Sequence, residues 1–187
     1  MKLIFAQGNP EERYAPTRHN VGWQVLDVLA KQENAPWKLD KKHNAFIATT
    51  VKSGEKVLFV KPLSYYNETG RVARSLVHFY KCSAAEDLLV IHDDLALPFG
   101  TIRTREQGSD AGNNGVKSLN AHLGQDYSRI RIGVWNEHKA HMNDADFVLS
   151  SFSQTEQAAL TTSIIPAVVA FTDAFIENRL AAQSISL

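Results

Sequence analysis

The stretch Asp87-Leu88-Leu89-Val90-Ile91-His92-Asp93-Asp94 is apolar almost without a break until it turns polar at its end. A short run of this kind reads as a strand buried on both faces, and such strands belong to parallel sheets covered by helices on each side. The flanking segments agree. Lys2 to Ala6 is a second apolar strand, followed by a loop and by Val21, Val25, Val28 and Leu29 at helical spacing to about Asn34, where Pro36 stops the helix. Ala45 to Val51 and Lys56 to Val60 flank Ser53-Gly54-Glu55 as an antiparallel hairpin. Ser64 can cap a helix with Val72, Leu76, Phe79 and Tyr80 on its inner face, which places Asn67 in the first turn.

Downstream of the central run, Thr101 to Arg105 is extended, and the loop Gly108 to Gly115 opens a helix with Val116, Leu119 and Leu123 inside. Ser128 to Trp135 alternates Ile130, Ile132 and Val134 with Arg129, Arg131 and Gly133, the pattern of a half-buried strand with a basic outer face. Asn136 to Asp146 reads as a polar loop. Ser153 and Glu156 have capping-box spacing ahead of a long apolar helix from Ile165 to Leu180, and a short loose tail ends the chain. This alternation of strands and helices predicts an α/β fold: a single three-layer α/β/α domain over residues 1–187 with a twisted, mostly parallel mixed sheet.

Composition narrows the function classes. The 187 residues are 44% hydrophobic, enough for one sizeable core. Twenty basic and twenty acidic residues cancel, so an anionic partner must be met by a local patch. The single cysteine, Cys82, excludes an internal disulfide framework and reads as a packing residue. The apolar run at Leu3-Ile4-Phe5 is too short for a signal peptide, and no uninterrupted apolar stretch reaches bilayer-spanning length, so the expectation is a cytoplasmic protein without a membrane partner.

Chemistry-bearing residues gather at strand ends and helix starts, where open α/β sheets collect ligands. These are Asn9, His19, Asn67, Asp93-Asp94 and Asn113-Asn114. On its own, His19-Asn20 is better read as a helix cap. With Asp93 or Asp94 accepting its Nδ1 proton, His19 becomes an oriented base able to take a proton from water. Asparagines offer neutral donors and acceptors suited to a carbonyl or a developing oxyanion. The group therefore points to hydrolysis without a covalent nucleophile. A P-loop, a dinucleotide-binding glycine fingerprint and a nucleophile elbow are all absent from the sequence. His138 and His141 lie in a polar loop without a carboxylate pattern, so neither metal nor cofactor is expected. Tyr65-Tyr66 and Trp23 read as core or rim aromatics. Arg103, Arg105, Lys117, Arg129 and Arg131 flank the glycine-rich loop and form either a phosphate clamp or an ordinary solvated face.

Gly8-Asn9-Pro10 with Tyr14 and Thr17-Arg18-His19-Asn20-Val21-Gly22, then Lys61 to Gly70, His92-Asp93-Asp94-Leu95, Leu97-Pro98 and Gly112-Asn113-Asn114-Gly115 stand in an order and spacing that resemble bacterial-type peptidyl-tRNA hydrolase. The resemblance covers almost the whole chain. It implies a monomeric enzyme that cleaves the ester between a stalled peptide and the 3′-terminal ribose of tRNA, needing no metal or other cofactor. It also implies roles: His19 as the base that activates water, Asp93 as its orienter, and Asn9 holding substrate or water. Tyr14 and Tyr66 would wall the substrate site, Asn67 and Asn114 would bind peptide carbonyls and the terminal nucleotide, and Arg105 and Arg131 would grip a phosphate of the acceptor stem. The chain departs from the usual family residues at Ala6-Gln7 and Glu11, and at Tyr66, Asn113 and Trp135-Asn136-Glu137, where methionine, histidine and Gly-Arg-Pro are usual. A non-catalytic RNA-binding protein is the rival reading.

Overall fold

The computed structural model describes residues 1–187, and in it the decisive apolar run extends through its polar end: the strand covers Leu88–Pro98, so His92, Asp93 and Asp94 lie inside it. In chain order the strands are β1 (Lys2–Ala6), β2 (Lys38–Asp40), β3 (Ala45–Lys52), β4 (Glu55–Pro62), β5 (Leu88–Pro98), β6 (Thr101–Gln107), β7 (Asp126–Trp135) and β8 (Ser184–Ser186). The helices are α1 (Val21–Gln32), α2 (Thr69–Tyr80), α3 (Ala84–Asp87), α4 (Asn114–Leu123), α5 (Asp144–Val148), α6 (Gln154–Ala159) and α7 (Ile165–Ile176).

All eight strands form one sheet in the order β2-β3-β4-β1-β5-β7-β6-β8. Its centre, β4-β1-β5-β7, is parallel. The edge pairings are antiparallel, so six strands run one way while β3 and β6 are reversed. Alternation along the central strands makes two cores. Ile4, Leu89, Ile91, Ile130 and Ile132 pack with α1 and α7, whereas Leu3, Phe5, Leu88 and Val90 pack with α2 and α4. This is the expected three-layer α/β/α arrangement, and Cys82 packs against the second core.

Several expectations are corrected. Ser64 caps nothing: Tyr66–Glu68 forms a 3-10 turn ahead of α2, and Asn67 lies in that turn. On α2, Val72 and Leu76 are buried, but Phe79 is 49% exposed, resting against the His43 ring. The basic face of β7 is only partly an outer face: Arg129 is buried, donating to the carbonyls of Ser109, Gly108 and Gln125, whereas Arg131 is half-buried. Within the expected polar loop lie a 3-10 turn, Glu137–His141, and the helix α5. The tail is not loose, since β8 pairs with β6. The helical run Gln154–Ile176 is long and apolar enough to cross a bilayer, with mean hydropathy 1.7. The run carries Glu156, Thr161, Thr162, Ser163 and Asp173, so it is not an uninterrupted apolar stretch, and the expectation that there is none stands beside it. The missing N–H of Pro166 is absorbed by a π turn at Leu160–Ile164, and Leu160, Ile164, Val168 and Ile176 face the core.

Candidate active site

The first parallel strand delivers its loop beside the polar end of β5. From Gly8 the chain passes through 3-10 turns at Glu12–Tyr14 and Arg18–Asn20 before entering α1. His19 sits on the second of these. Asn20 occupies the N-cap position of α1, but its side chain does no capping. It accepts from the Asn9 backbone N–H and donates to the Asn9 carbonyl, both at 2.9 Å, and so fixes the loop.

His19 Nδ1 lies 2.9 Å from Asp93 Oδ2. Because a carboxylate only accepts, Nδ1 carries a proton, and in the neutral imidazole the lone pair is then on Nε2. The other carboxylate oxygen, Oδ1, accepts the Tyr66 hydroxyl at 2.5 Å. The Tyr66 ring lies flat on the His19 imidazole, with centroids 3.6 Å apart and planes within 2°. Asn113 Nδ2 donates to the Tyr66 hydroxyl oxygen and to the Asp93 carbonyl, while its Oδ1 caps α4 through Gly115 and Val116. Burial pushes the Asp93 carboxyl up, but the facing His19 and the hydrogen bonds from His19 and Tyr66 outweigh it, leaving the group ionised below the usual carboxylate range. Burial, reinforced by the Asp93 charge, holds the Tyr66 phenol well above its ordinary value. Burial also lowers the neighbouring His92, which donates through Nδ1 to the Asp93 carbonyl.

A cleft of about 540 Å³ opens over this pair. Asn9, Tyr14, Asn67 and Asn114 line it together with His19 and Asp93. Asn9 Oδ1 accepts from the Tyr66 backbone N–H at 2.9 Å, which leaves its amide nitrogen as the group offered to the cleft. Asn67 and Asn114 are exposed there, Asn67 in the middle of its 3-10 turn and Asn114 as the first residue of α4. Arg105 and Arg131 are outside the cleft lining. Arg131 stands opposite His92 on β5 and Arg103 on β6, with its Nε donating to Asp94 Oδ2 at 2.5 Å. Arg105 stands opposite Arg129 and donates to its neighbour's carbonyl, Thr104 O. Both side chains lie on the α4 side of the sheet, since Ile102 and Thr104 alternate with Arg105 on β6, Ile130 and Ile132 flank Arg131 on β7, and these three isoleucines join the α1/α7 core.

Comparison with known proteins agrees with the geometry. The family model for peptidyl-tRNA hydrolase matches residues 3–186. The chain belongs to the peptidyl-tRNA hydrolase family. It is 41% identical to the peptidyl-tRNA hydrolase of Lactiplantibacillus plantarum over 179 residues, covering 95% of this chain and 94% of that one. It is 43% identical to that of Exiguobacterium sibiricum, with 95% of each chain covered. The crystal structure of peptidyl-tRNA hydrolase from Acinetobacter baumannii superposes with a TM-score of 0.85 at 27% identity, over 96% of this chain and 90% of the other.

As a member of the peptidyl-tRNA hydrolase family the chain is a hydrolase. Sequence reasoning missed three features of the site. Asp144 and Val148 of α5 form a wall of the cleft that a five-residue helix does not announce. Tyr66 and Asn113 are bonded to each other and to Asp93, which neither residue's local pattern suggests. Arg18 joins the His19 turn to the capping box: its Nη2 donates to both Glu156 oxygens at 2.9 and 2.8 Å. The capping box was legible, but its second use was not. Of the departures, Gln7 is fully buried and accepts from the Thr69 hydroxyl, and Glu11 accepts from the Tyr65 hydroxyl at the rim.

Proposed function

We propose that the chain hydrolyses the ester joining peptide to the terminal ribose in peptidyl-tRNA, returning free tRNA from stalled or aborted translation, with a water activated by His19. In this reading Nε2 takes a proton from water as the water oxygen attacks the ester carbonyl. The resulting tetrahedral oxyanion collapses, the ribose oxygen leaves with the proton held on His19, and peptide carboxylate and tRNA hydroxyl separate. Asp93 keeps the proton on Nδ1 and stabilises the imidazolium that forms between the two transfers. Asn9 offers its amide N–H to the water or the substrate, Asn67 and Asn114 receive peptide carbonyls and the terminal nucleotide, and Tyr14 walls the site. Arg105 and Arg131 grip an acceptor-stem phosphate, and the enzyme acts as a monomer in the cytoplasm.

The observation that carries this reading is the Nδ1 to Asp93 contact of 2.9 Å beside a cleft lined by asparagines. The test is hydrolysis of an N-acyl-aminoacyl-tRNA by the purified protein in heavy-oxygen water. Label in the released peptide carboxylate and none in the tRNA is the expected result. Label in the ribose, or no release, overturns the proposal.

A further inference from the structure

We propose that Tyr66 is a positioning residue of the catalytic pair, holding Asp93 and His19 in register and setting how strongly the carboxylate draws a proton onto the imidazole. The inference rests on the reading of His19 as base. A tyrosine that merely walled a substrate site would turn its hydroxyl to the cleft. This one spends it inward: the hydroxyl donates to Asp93 Oδ1 at 2.5 Å and accepts from Asn113 Nδ2 at 3.2 Å. Its ring covers one face of the His19 imidazole, and its backbone N–H binds Asn9 Oδ1. One residue thus touches the base, the orienter and the residue placed to hold water. Its position is over-determined, because Asn113 is itself locked as the cap of α4 and a Cβ at Gly115 would run into the Tyr66 ring.

The two oxygens of Asp93 serve two donors, Tyr66 on Oδ1 and His19 on Oδ2. A hydrogen bond to the charged form stabilises the carboxylate and reduces the charge it presents to the imidazole. The phenol stays protonated and keeps donating, since burial and Asp93 both hold its proton. The flat stack also restricts imidazole rotation, keeping Nε2 aimed into the cleft. The other ionisable groups around the pair are Asp94, paired with Arg131, His92, buried and bonded to the Asp93 carbonyl, and Tyr14, Tyr65 and Asp144 on the cleft wall, with the Tyr65 hydroxyl donating to Glu11. None of them competes for Asp93 Oδ1.

The experiment is the pH profile of kcat and KM on an N-acyl-aminoacyl-tRNA for the wild type, Tyr66→Phe, Tyr66→Met and a variant with 3-fluorotyrosine placed at position 66. Tyr66→Phe keeps the stack and loses the donor, so the acid limb moves up by about half to one pH unit and kcat falls about tenfold at nearly unchanged KM. Tyr66→Met loses ring and donor together and falls further. Fluorotyrosine, a stronger donor of the same shape, moves the acid limb the other way and keeps the test alive if the Phe variant does not fold. An unmoved limb in the folded variants, or a raised KM with kcat and limb unchanged, overturns the proposal. His19→Ala in the wild-type background separates the two readings: if it stays active the base assignment fails, and if it is inactive while the Tyr66 variants keep the wild-type profile only the Tyr66 inference fails.

Discussion

Asp93 shows how a buried charge is kept where chemistry needs it. The residue is 1% exposed, and an isolated carboxylate so buried would take up a proton. It stays ionised because both oxygens accept hydrogen bonds, one from the phenol and one from the imidazole it orients. Replacement by asparagine keeps the shape but offers the imidazole an N–H as readily as an acceptor, which favours the tautomer with the proton on Nε2. Asp93→Asn is therefore expected to lower kcat by about a hundredfold to ten-thousandfold while KM changes little, as steady-state kinetics on an N-acyl-aminoacyl-tRNA would show. At this scale the sequence was informative about identity and about one contact, His19 Nδ1 to an acidic residue at the end of the central run, and silent about the others. His19, Asp93 and Asn9 could be named from their place at strand ends and from the family resemblance. That Tyr66 and Asn113, two departures from the usual residues, meet over Asp93 depends on where a 3-10 turn and the start of α4 cross, and no local pattern records such a crossing.

At the scale of elements, the His19 turn is fastened to the far end of the chain by the Arg18 and Glu156 pair. The guanidinium lies between the Phe147 and Phe152 rings, 4.5 and 5.0 Å from their centroids, and also donates to Ser151 O at 2.5 Å. Glu156 closes the capping box of α6 on Ser153 and accepts from Asn136 Nδ2, so one carboxylate ties three segments. Burial raises the Glu156 carboxyl, but the Ser153 backbone and Arg18 outweigh it, and its proton affinity falls below the usual range. A depressed carboxylate contributes stability that is complete above the ordinary glutamate range and is lost as pH falls through and below it. Glu156→Ala strands a buried cation and is expected to cost about 3 kcal/mol, read by denaturant melts, and to flatten the fall of Tm on acidification below about pH 4.5. An unchanged melt would show the pair to be dispensable. The strands of the central sheet were legible because an unbroken apolar run such as Leu88 to Ile91 leaves no other reading. β8 was not, because a three-residue strand with only Ile185 turned inward carries no period, and α5 is too short to show one.

Over the whole molecule, balanced charge conceals a local concentration. Arg103, Arg105, Arg129 and Arg131 stand side by side on β6 and β7. Two of them are committed internally: Arg129 anchors the loop before α4, and Arg131 pairs with Asp94. Removing Arg131 would also strand a buried carboxylate, so Arg105 gives the cleaner test of the proposed phosphate clamp. Arg105→Ala is expected to raise KM for the tRNA substrate several-fold with kcat unchanged and to reduce the salt slope of binding by about one. A salt dependence identical to wild type would make it an ordinary surface charge. Consecutive residues of β5 serve both places: Asp93 pairs with His19 in the cleft, and Asp94, also on the cleft lining, pairs with Arg131 of the basic strip. The central claim is that His19 is the base, and it is tested most directly by single-turnover hydrolysis of an N-acyl-aminoacyl-tRNA by folded His19→Ala. The account predicts a rate about a thousandfold below wild type that no longer rises with pH across the acid limb. A rate within a few-fold of wild type, or an acid limb that survives the substitution, would contradict it.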